Sequence, residues 1–275
     1  MNTVVSDGGR GMAVVGDGSA ASLGPGEVLA ALAADVRLLR AHGPVAAFPV
    51  AVTVRDASQL SSALRALPSG TTALFLARTE ADRARAAQAE MALTSTTPVI
   101  TEQDTAGMAL AAALLVTLRR AGMPPRSSRV VVTGARTLPM LVPLLMAAGV
   151  ADIASWHETD TAAFPLDALA GDATAVIDLV GAAAGLPAEV PVLSPDPVGH
   201  LLALPGMLRA LRETPLAGPG TDPLYRLDVH RACAGALAAL TPVDRTLPDL
   251  TDPDLADCVA RAATEALRAP FRESR

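Results

Sequence analysis

The run Arg129-Val130-Val131-Val132-Thr133-Gly134-Ala135-Arg136-Thr137-Leu138-Pro139, continuing through Leu141 to Ala148, decides the fold. Arg129–Gly134 is the clearest strand in the chain, since β-branched residues follow one another without a break. Glycine then gives a tight turn, and Leu138–Ala148 reads as a helix that ends at Gly149. Strand, glycine turn and helix in that order make the first half of a βαβ unit. The same alternation runs along most of the chain. Helices are expected at Glu27–Arg40, Asp56–Leu67, Glu80–Met91, Ala106–Arg120, Met207–Arg212, Asp228–Ala239 and Asp254–Leu267. Strands are expected at Ala46–Val54, Thr72–Leu76, Pro98–Ile100, Ile153–Trp156, Ala173–Val180 and Val190–Leu193. Strands of about five residues separated by helices of ten or more indicate parallel sheets. The expected fold class is therefore α/β: a Rossmann-like parallel-sheet domain over 105–275, preceded by a smaller α/β domain over 1–104. The boundary is drawn near residue 104, with the longest helix bridging the halves. The first 26 residues, rich in Gly, Ser and Asp, read as loop with short strands.

Composition narrows the function classes. The chain has 275 residues, 51% hydrophobic, 18% charged and only 2% aromatic, so the core must be built from Ala, Leu and Val. A disordered chain would be charge-rich and poor in apolar residues. Net charge is −6 and pI about 5.2, which implies no basic face and no nucleic-acid partner. Mean hydropathy is +0.37, yet the longest charge-free runs, Thr105–Leu118 and Thr137–Ala151, fall short of the ~18–20 residues that span hydrocarbon. With Asp7 and Arg10 near the start and no apolar stretch there, no signal peptide and no membrane segment are expected. Cys233 and Cys258 sit in helical apolar patterns, as buried free thiols would, and a cytoplasmic protein fits. All 22 basic side chains are arginine. No step in this chain can use a lysine ammonium, a lysine base or a Schiff base.

The motifs that carry chemistry are few. A dinucleotide fingerprint needs glycine for the turn, glycine for phosphate approach and glycine for helix packing. Here only Gly134 is present. Arg136 stands where the phosphate should come close, and Pro139 removes a donor from the helix start. A dinucleotide held in the usual way is thus disfavoured. Arg136 either holds a smaller anion or is a solvated loop residue. His157 and Glu158 occupy the place of the acid that would grip a ribose, and Glu158 is the candidate. Glu102-Gln103-Asp104 follows a strand and precedes a helix, at the carboxyl edge of a sheet. Glu102 and Asp104 are candidate ligands for Mg²⁺ or Mn²⁺, and the competing reading makes Asp104 the N-cap of Ala106–Arg120. Asp17, within Gly16-Asp17-Gly18-Ser19, reads as a turn residue. The histidines at 42, 157, 200 and 230 are too scattered for a zinc motif. No nucleophile elbow, P-loop or Cys–His cluster is present.

Several segments in order resemble the malic enzyme family. These are Val4–Gly8 through Gly16-Asp17, Ala47-Phe48-Pro49, Thr97–Ile100 with Glu102–Asp104, Arg129–Gly134 with Leu144–Ile153, Pro195–Arg209 and Pro248–Leu267. The resemblance implies a scaffold built to oxidise malate with NAD(P) and to decarboxylate the product on a divalent metal. It also implies what is missing. The chain begins after the segment that carries the family's Tyr acid. The family's Lys base falls at or beside Asp35. Its Glu–Asp metal pair falls on Ala77-Arg78, and its second metal Asp falls near Asp104. Its paired Asn near the nicotinamide falls on Gly199-His200. The one Tyr, Tyr225, lies too late to restore the acid. Without Lys, Tyr or the glycine fingerprint, NAD(P) and Mg²⁺ or Mn²⁺ are not expected as working cofactors. The expected function is a repurposed protein that binds a small carboxylic acid or a partner chain, and a homo-oligomer is expected. Asp35 and His200 are the candidate catalytic groups, Arg78 the candidate substrate clamp, and Gly134, Arg136 and Glu158 the degenerate cofactor or anion site. The alternatives are a cofactor-independent lyase or decarboxylase in the same cleft, and residual NAD(P)-dependent malate oxidation.

Overall fold

A computed structural model describes residues 3–5, 11–43, 45–161, 163–214 and 227–269. In chain order the elements are β1 (Thr3–Val5), β2 (Gly11–Gly16), α1 (Pro25–His42), β3 (Ala47–Val52), α2 (Ala57–Arg65), β4 (Thr71–Leu76), α3 (Ala81–Thr94), β5 (Val99–Thr101) and α4 (Glu102–Arg120). They continue with β6 (Arg129–Thr133), α5 (Leu141–Ala147), β7 (Asp152–Trp156), α6 (Leu166–Ala170), β8 (Ala175–Asp178), β9 (Val192–Leu193), α7 (Gly199–Leu202), α8 (Leu204–Glu213), α9 (Leu227–Leu240) and α10 (Leu255–Arg268). The α/β class expected from the alternation is what the chain adopts.

Two sheets form. The first has the order β1-β3-β2-β4-β5 and the second β7-β6-β8-β9. Every pairing is parallel except β1 on β3. Parallel strands are buried on both faces, which is why β2 and β3 are buried at all six positions each. Alternation along β2 divides the core. Met12 and Val14 face the large interior cluster, while Ala13 and Val15 face a second cluster beneath α2 and α3. A third cluster, around Val131, Trp156 and Val176, covers the outer face of the second sheet. As the composition requires, these cores are mostly Ala, Val and Leu, with Phe75 the largest fully buried side chain.

The longest helix, α4, is buried on nearly every side, from Met108 through Leu118. Its small residues let α5, α7 and α9 pack close around it. Three sequence expectations shift. The helix expected at Leu138–Ala148 starts only at Leu141, after a single 3₁₀ turn at 135–137. Starting at Leu138 would put Pro143 where a helical N–H is needed. Starting at Leu141 leaves Pro143 in the first turn, where the N–H is unpaired anyway. The strand expected at Ala173–Val180 is limited to β8, because the chain turns at Asp178. Helix α4 begins at Glu102, four residues earlier than expected. Asp56 does cap α2, accepting from the Gln59 amide at 2.8 Å. Tyr225 and residues 6–10 of the glycine-rich opening lie outside the described residues. No helix among the described residues is long and apolar enough to cross a membrane.

Helices α8 and α10 meet at Gly206, where a Cβ would stand 2.5 Å from Val259 Cβ and 2.8 Å from the Ala256 carbonyl oxygen. Because one contact is backbone, the crowding cannot be relieved by a rotamer change. Gly206→Ala is expected to destabilise the protein by about 1–3 kcal/mol, as overpacking does. Urea unfolding checks this by a lower midpoint at unchanged slope.

Candidate functional site

The carboxyl edges of the two sheets face one another across a cleft of about 880 Å³. One wall comes from the β4–α3 turn and the start of α4, with Thr79, Glu80, Asp82 and Gln103. The other comes from the β6–α5 turn, with Arg136 and Thr137, and from Ser155 on β7.

Behind the first wall, next in sequence to Thr79 and Gln103 but not lining the cleft, lies an ionic cluster. Arg78, just past the end of β4, is a non-glycine residue at φ 54°. Left-handed backbone costs an L-residue roughly 1–2 kcal/mol. Its contacts show what offsets that. The Arg78 amide donates to Glu102 Oε2 at 2.6 Å, and Nη1 donates to Glu102 Oε1 at 2.5 Å. Nη2 donates to Asp35 Oδ2 at 3.2 Å and Oδ1 at 3.4 Å. Asp35 reaches in from α1 and Glu102 from the first turn of α4, so one guanidinium ties the sheet to two helices. Their side chains are 7% and 19% exposed. His200, on α7, brings Nε2 to 3.4 Å from Asp35 Oδ2 and lays its ring parallel to Phe75 at 6.3 Å. Its Nε2 is buried and makes no hydrogen bond.

Two further arginines repeat the theme. Asp104 is not the helix N-cap. Thr101 is, and it accepts from the Asp104 amide at 3.1 Å. The Asp104 carboxylate, 2% exposed, accepts instead from Arg85 Nη2 at 2.8 Å and Gln88 Nε2 at 3.2 Å. Asp17 closes its own turn by accepting from the Ser19 amide and hydroxyl, and its other oxygen pairs with Arg83. Thus Arg78, Arg83 and Arg85, all from one short segment, neutralise four carboxylates. The structure brings Asp35, Arg78, Glu102 and His200 together. Asp104 lies with Arg85, so Glu102 and Asp104 do not form the expected ligand pair, and no group of three or more potential ligands stands together among the described residues. A divalent cation does not fit this cluster, because the guanidinium stands between the two carboxylates and donates to both.

The second side is the switch point of the second sheet, between β6 and β8, where open α/β sheets take nucleotides. Gly134 sits there at φ 64°, and a Cβ on it would stand 2.3 Å from Val180 Cγ1. The left-handed backbone is what favours glycine here, and the Val180 side chain occupies the space beside it. Asp178, 5% exposed, fills the rest of the crevice. It accepts from Thr133 Oγ1 at 2.6 Å and from the amides of Val180, Ala182 and Ala183 at 2.9–3.3 Å. The helix that should cradle a pyrophosphate begins seven residues after Gly134, beyond Pro139. A dinucleotide does not fit this turn. Arg136 is exposed in the cleft and makes no ion pair among the described residues, while Glu158 is exposed in a 3₁₀ turn after β7 and is not part of the cleft lining. Sequence reading missed Gln103, whose buried Oε1 faces no partner, and Val180; the crowding of Gly134 by Val180 has no local sequence signal.

No family model and no curated protein matches this chain. Solved structures do. The architecture just described, two parallel-sheet α/β layers joined by a buried helix with a cleft at their carboxyl edges, defines a class shared with malic enzymes. The NAD-dependent malic enzyme of Thermotoga maritima superposes with a TM-score of 0.73 at 17% identity, over 92% of this chain and 84% of that one. The malic enzyme of Pyrococcus horikoshii gives 0.70 at 17%, over 93% and 76%. That of Entamoeba histolytica gives 0.76 at 16%, over 93% and 68%. The chain has the malic enzyme fold.

Burial pushes the Asp178 carboxyl up, but the Thr133 hydroxyl and the amides of Ala183, Ala182 and Val180 outweigh it and hold the group below the ordinary value of 3.8. A depressed folded-state pKa adds stability above the unfolded value, and that stability is lost as pH falls through the folded one. Asp178→Asn is expected to destabilise by about 1–3 kcal/mol at pH 7. The gap to wild type should narrow as pH falls below ~4, which urea titrations at pH 7, 5, 4 and 3 measure.

Proposed function

We propose that this chain keeps the malic enzyme scaffold without oxidative decarboxylation of malate, and binds a small carboxylic acid in the cleft. The observation that carries the reading is Arg78, whose guanidinium is engaged by Asp35 and Glu102 where proton transfer and metal chemistry would be needed. The chain's lack of lysine supports it independently, since no local rearrangement supplies an ammonium base. General acid–base groups are typically worth 10²–10⁴-fold each.

Arg78 is occupied by its own carboxylates, so the anchor for an acid is Arg136. A guanidinium can take a carboxylate through two parallel hydrogen bonds. Thr137 and Ser155 stand on the same wall and offer hydroxyls. Glu80 and Asp82 face them from the opposite wall, and their charge disfavours a second carboxylate. The ligand class is thus a monocarboxylate bearing a hydroxyl or amino group. The Asp35–His200 contact favours one second reading, a cofactor-independent lyase or decarboxylase. Unchanged release of CO₂ or water in His200→Ala would remove that reading.

Calorimetric titration with lactate, malate, pyruvate, NAD and NADP tests the main reading. A 2-hydroxy monocarboxylate is expected to bind, and Arg136→Ala to weaken it by about 10–100-fold, the loss of a charged hydrogen bond. Tight NAD(P) binding, with reduction of the cofactor on malate and Mn²⁺, would overturn it.

A further inference from the structure

We propose that the cleft selects a zwitterion, a small amino acid whose carboxylate is taken by Arg136 and whose ammonium is taken by Asp82 and Gln103. The inference rests on the reading above for the role of Arg136. The ammonium, and the two residues that select it, go beyond that reading.

The two walls carry opposite charge. Arg136, on the β6–α5 turn, is exposed and makes no ion pair among the described residues. Glu80 and Asp82 face it, and they are not equivalent. Glu80 caps α3: its two carboxylate oxygens accept from the amides of Asp82 and Arg83, each at 3.1 Å. Its own amide donates to the Ser19 hydroxyl at 2.8 Å, so Glu80 is held at both ends. Asp82 stands exposed in the first turn of α3, and its carboxylate makes no hydrogen bond or ion pair among the described residues. Asp82 and Arg136 thus line one cavity with opposite charge, and they do not pair with each other. A molecule that answers both must carry a negative end and a positive end. A hydroxy acid answers the arginine alone, and a simple amine answers the aspartate alone.

Gln103 is the independent sign. It lies in the first turn of α4 and lines the same cavity. Its Nε2 donates to the Thr79 carbonyl oxygen at 2.7 Å. That oxygen can only accept, which fixes the orientation of the side-chain amide and leaves Oε1 as an acceptor. Oε1 is buried and has no donor. A buried acceptor left empty carries its whole desolvation cost. One ammonium nitrogen has three donors, enough for Gln103 and Asp82 together, whereas a hydroxyl has one. No side chain of this protein can supply that ammonium, since the chain contains no lysine.

The test is calorimetric titration of the full chain with L-alanine, L-lactate, propionate and ethylamine, and with β-alanine against 3-hydroxypropionate to vary the span. At one span or the other, the amino acid is expected to bind at least about fivefold more tightly than its hydroxy acid, as an ion pair in an open cleft allows. Propionate and ethylamine should bind more weakly still. Asp82→Asn, a change at an exposed position, should bring the amino acid and hydroxy acid together while leaving lactate affinity as it was. Gln103→Met should narrow the advantage of alanine and lactate over propionate. Lactate matching alanine, and 3-hydroxypropionate matching β-alanine, would overturn the proposal and leave the acid-binding reading standing. So would an amino-acid preference that Asp82→Asn leaves intact, or ethylamine binding as tightly as alanine. Failure of every carboxylate and amino acid to bind would overturn both. Malate turnover by wild type would sink the functional reading alone, because the amino-acid preference and its loss in Asp82→Asn are read from binding.

Discussion

A single guanidinium, that of Arg78, holds the centre of this molecule. It lies where the first sheet ends, where α1 passes and where α4 begins, and it neutralises a carboxylate from each helix. Breaking a buried pair by removing one partner costs about 3–5 kcal/mol, because the surviving charge is left uncompensated. The left-handed backbone at Arg78 is small beside that. The end of the first sheet is therefore braced by ion pairs, extended by Arg83 on Asp17 and Arg85 on Asp104.

The second sheet answers in kind. At its switch point Gly134 holds a left-handed turn against the Val180 side chain, and the loop amides after β8 are taken by Asp178. Much of the polar chemistry on both sides is thus taken up within the chain, the buried Gln103 Oε1 excepted. What stays open is the space between them, with Arg136 on one wall and acidic side chains on the other.

Much of the fold was legible because the signals are local. The Val130-Val131-Val132 run, the Asp56 cap and the alternation of strands with helices each depend on neighbours in sequence, and each appears in place. The errors were also local in origin. Pro143 moved the start of α5, and Thr101 rather than Asp104 caps α4, since the Thr101 hydroxyl immediately precedes the helix while the Asp104 carboxylate lies within its first turn. The site was legible by residue and not by partner. Asp35, Arg78, Glu102 and His200 could be singled out from chemistry and family resemblance, but that one arginine would bridge two of them depends on long-range packing. The spacing of Arg78, Arg83 and Arg85 around a strand–helix turn was the available signal, and it is too common on solvated helix faces to decide the matter alone.

The central claim is that a side chain of the protein, and not a metal ion, neutralises Asp35 and Glu102. Anomalous diffraction from wild-type crystals soaked in MnCl₂ tests it directly. The account predicts the Arg78 guanidinium still seated between the two carboxylates, with no anomalous peak between them. A manganese peak there, with Arg78 swung out toward the cleft, would contradict it.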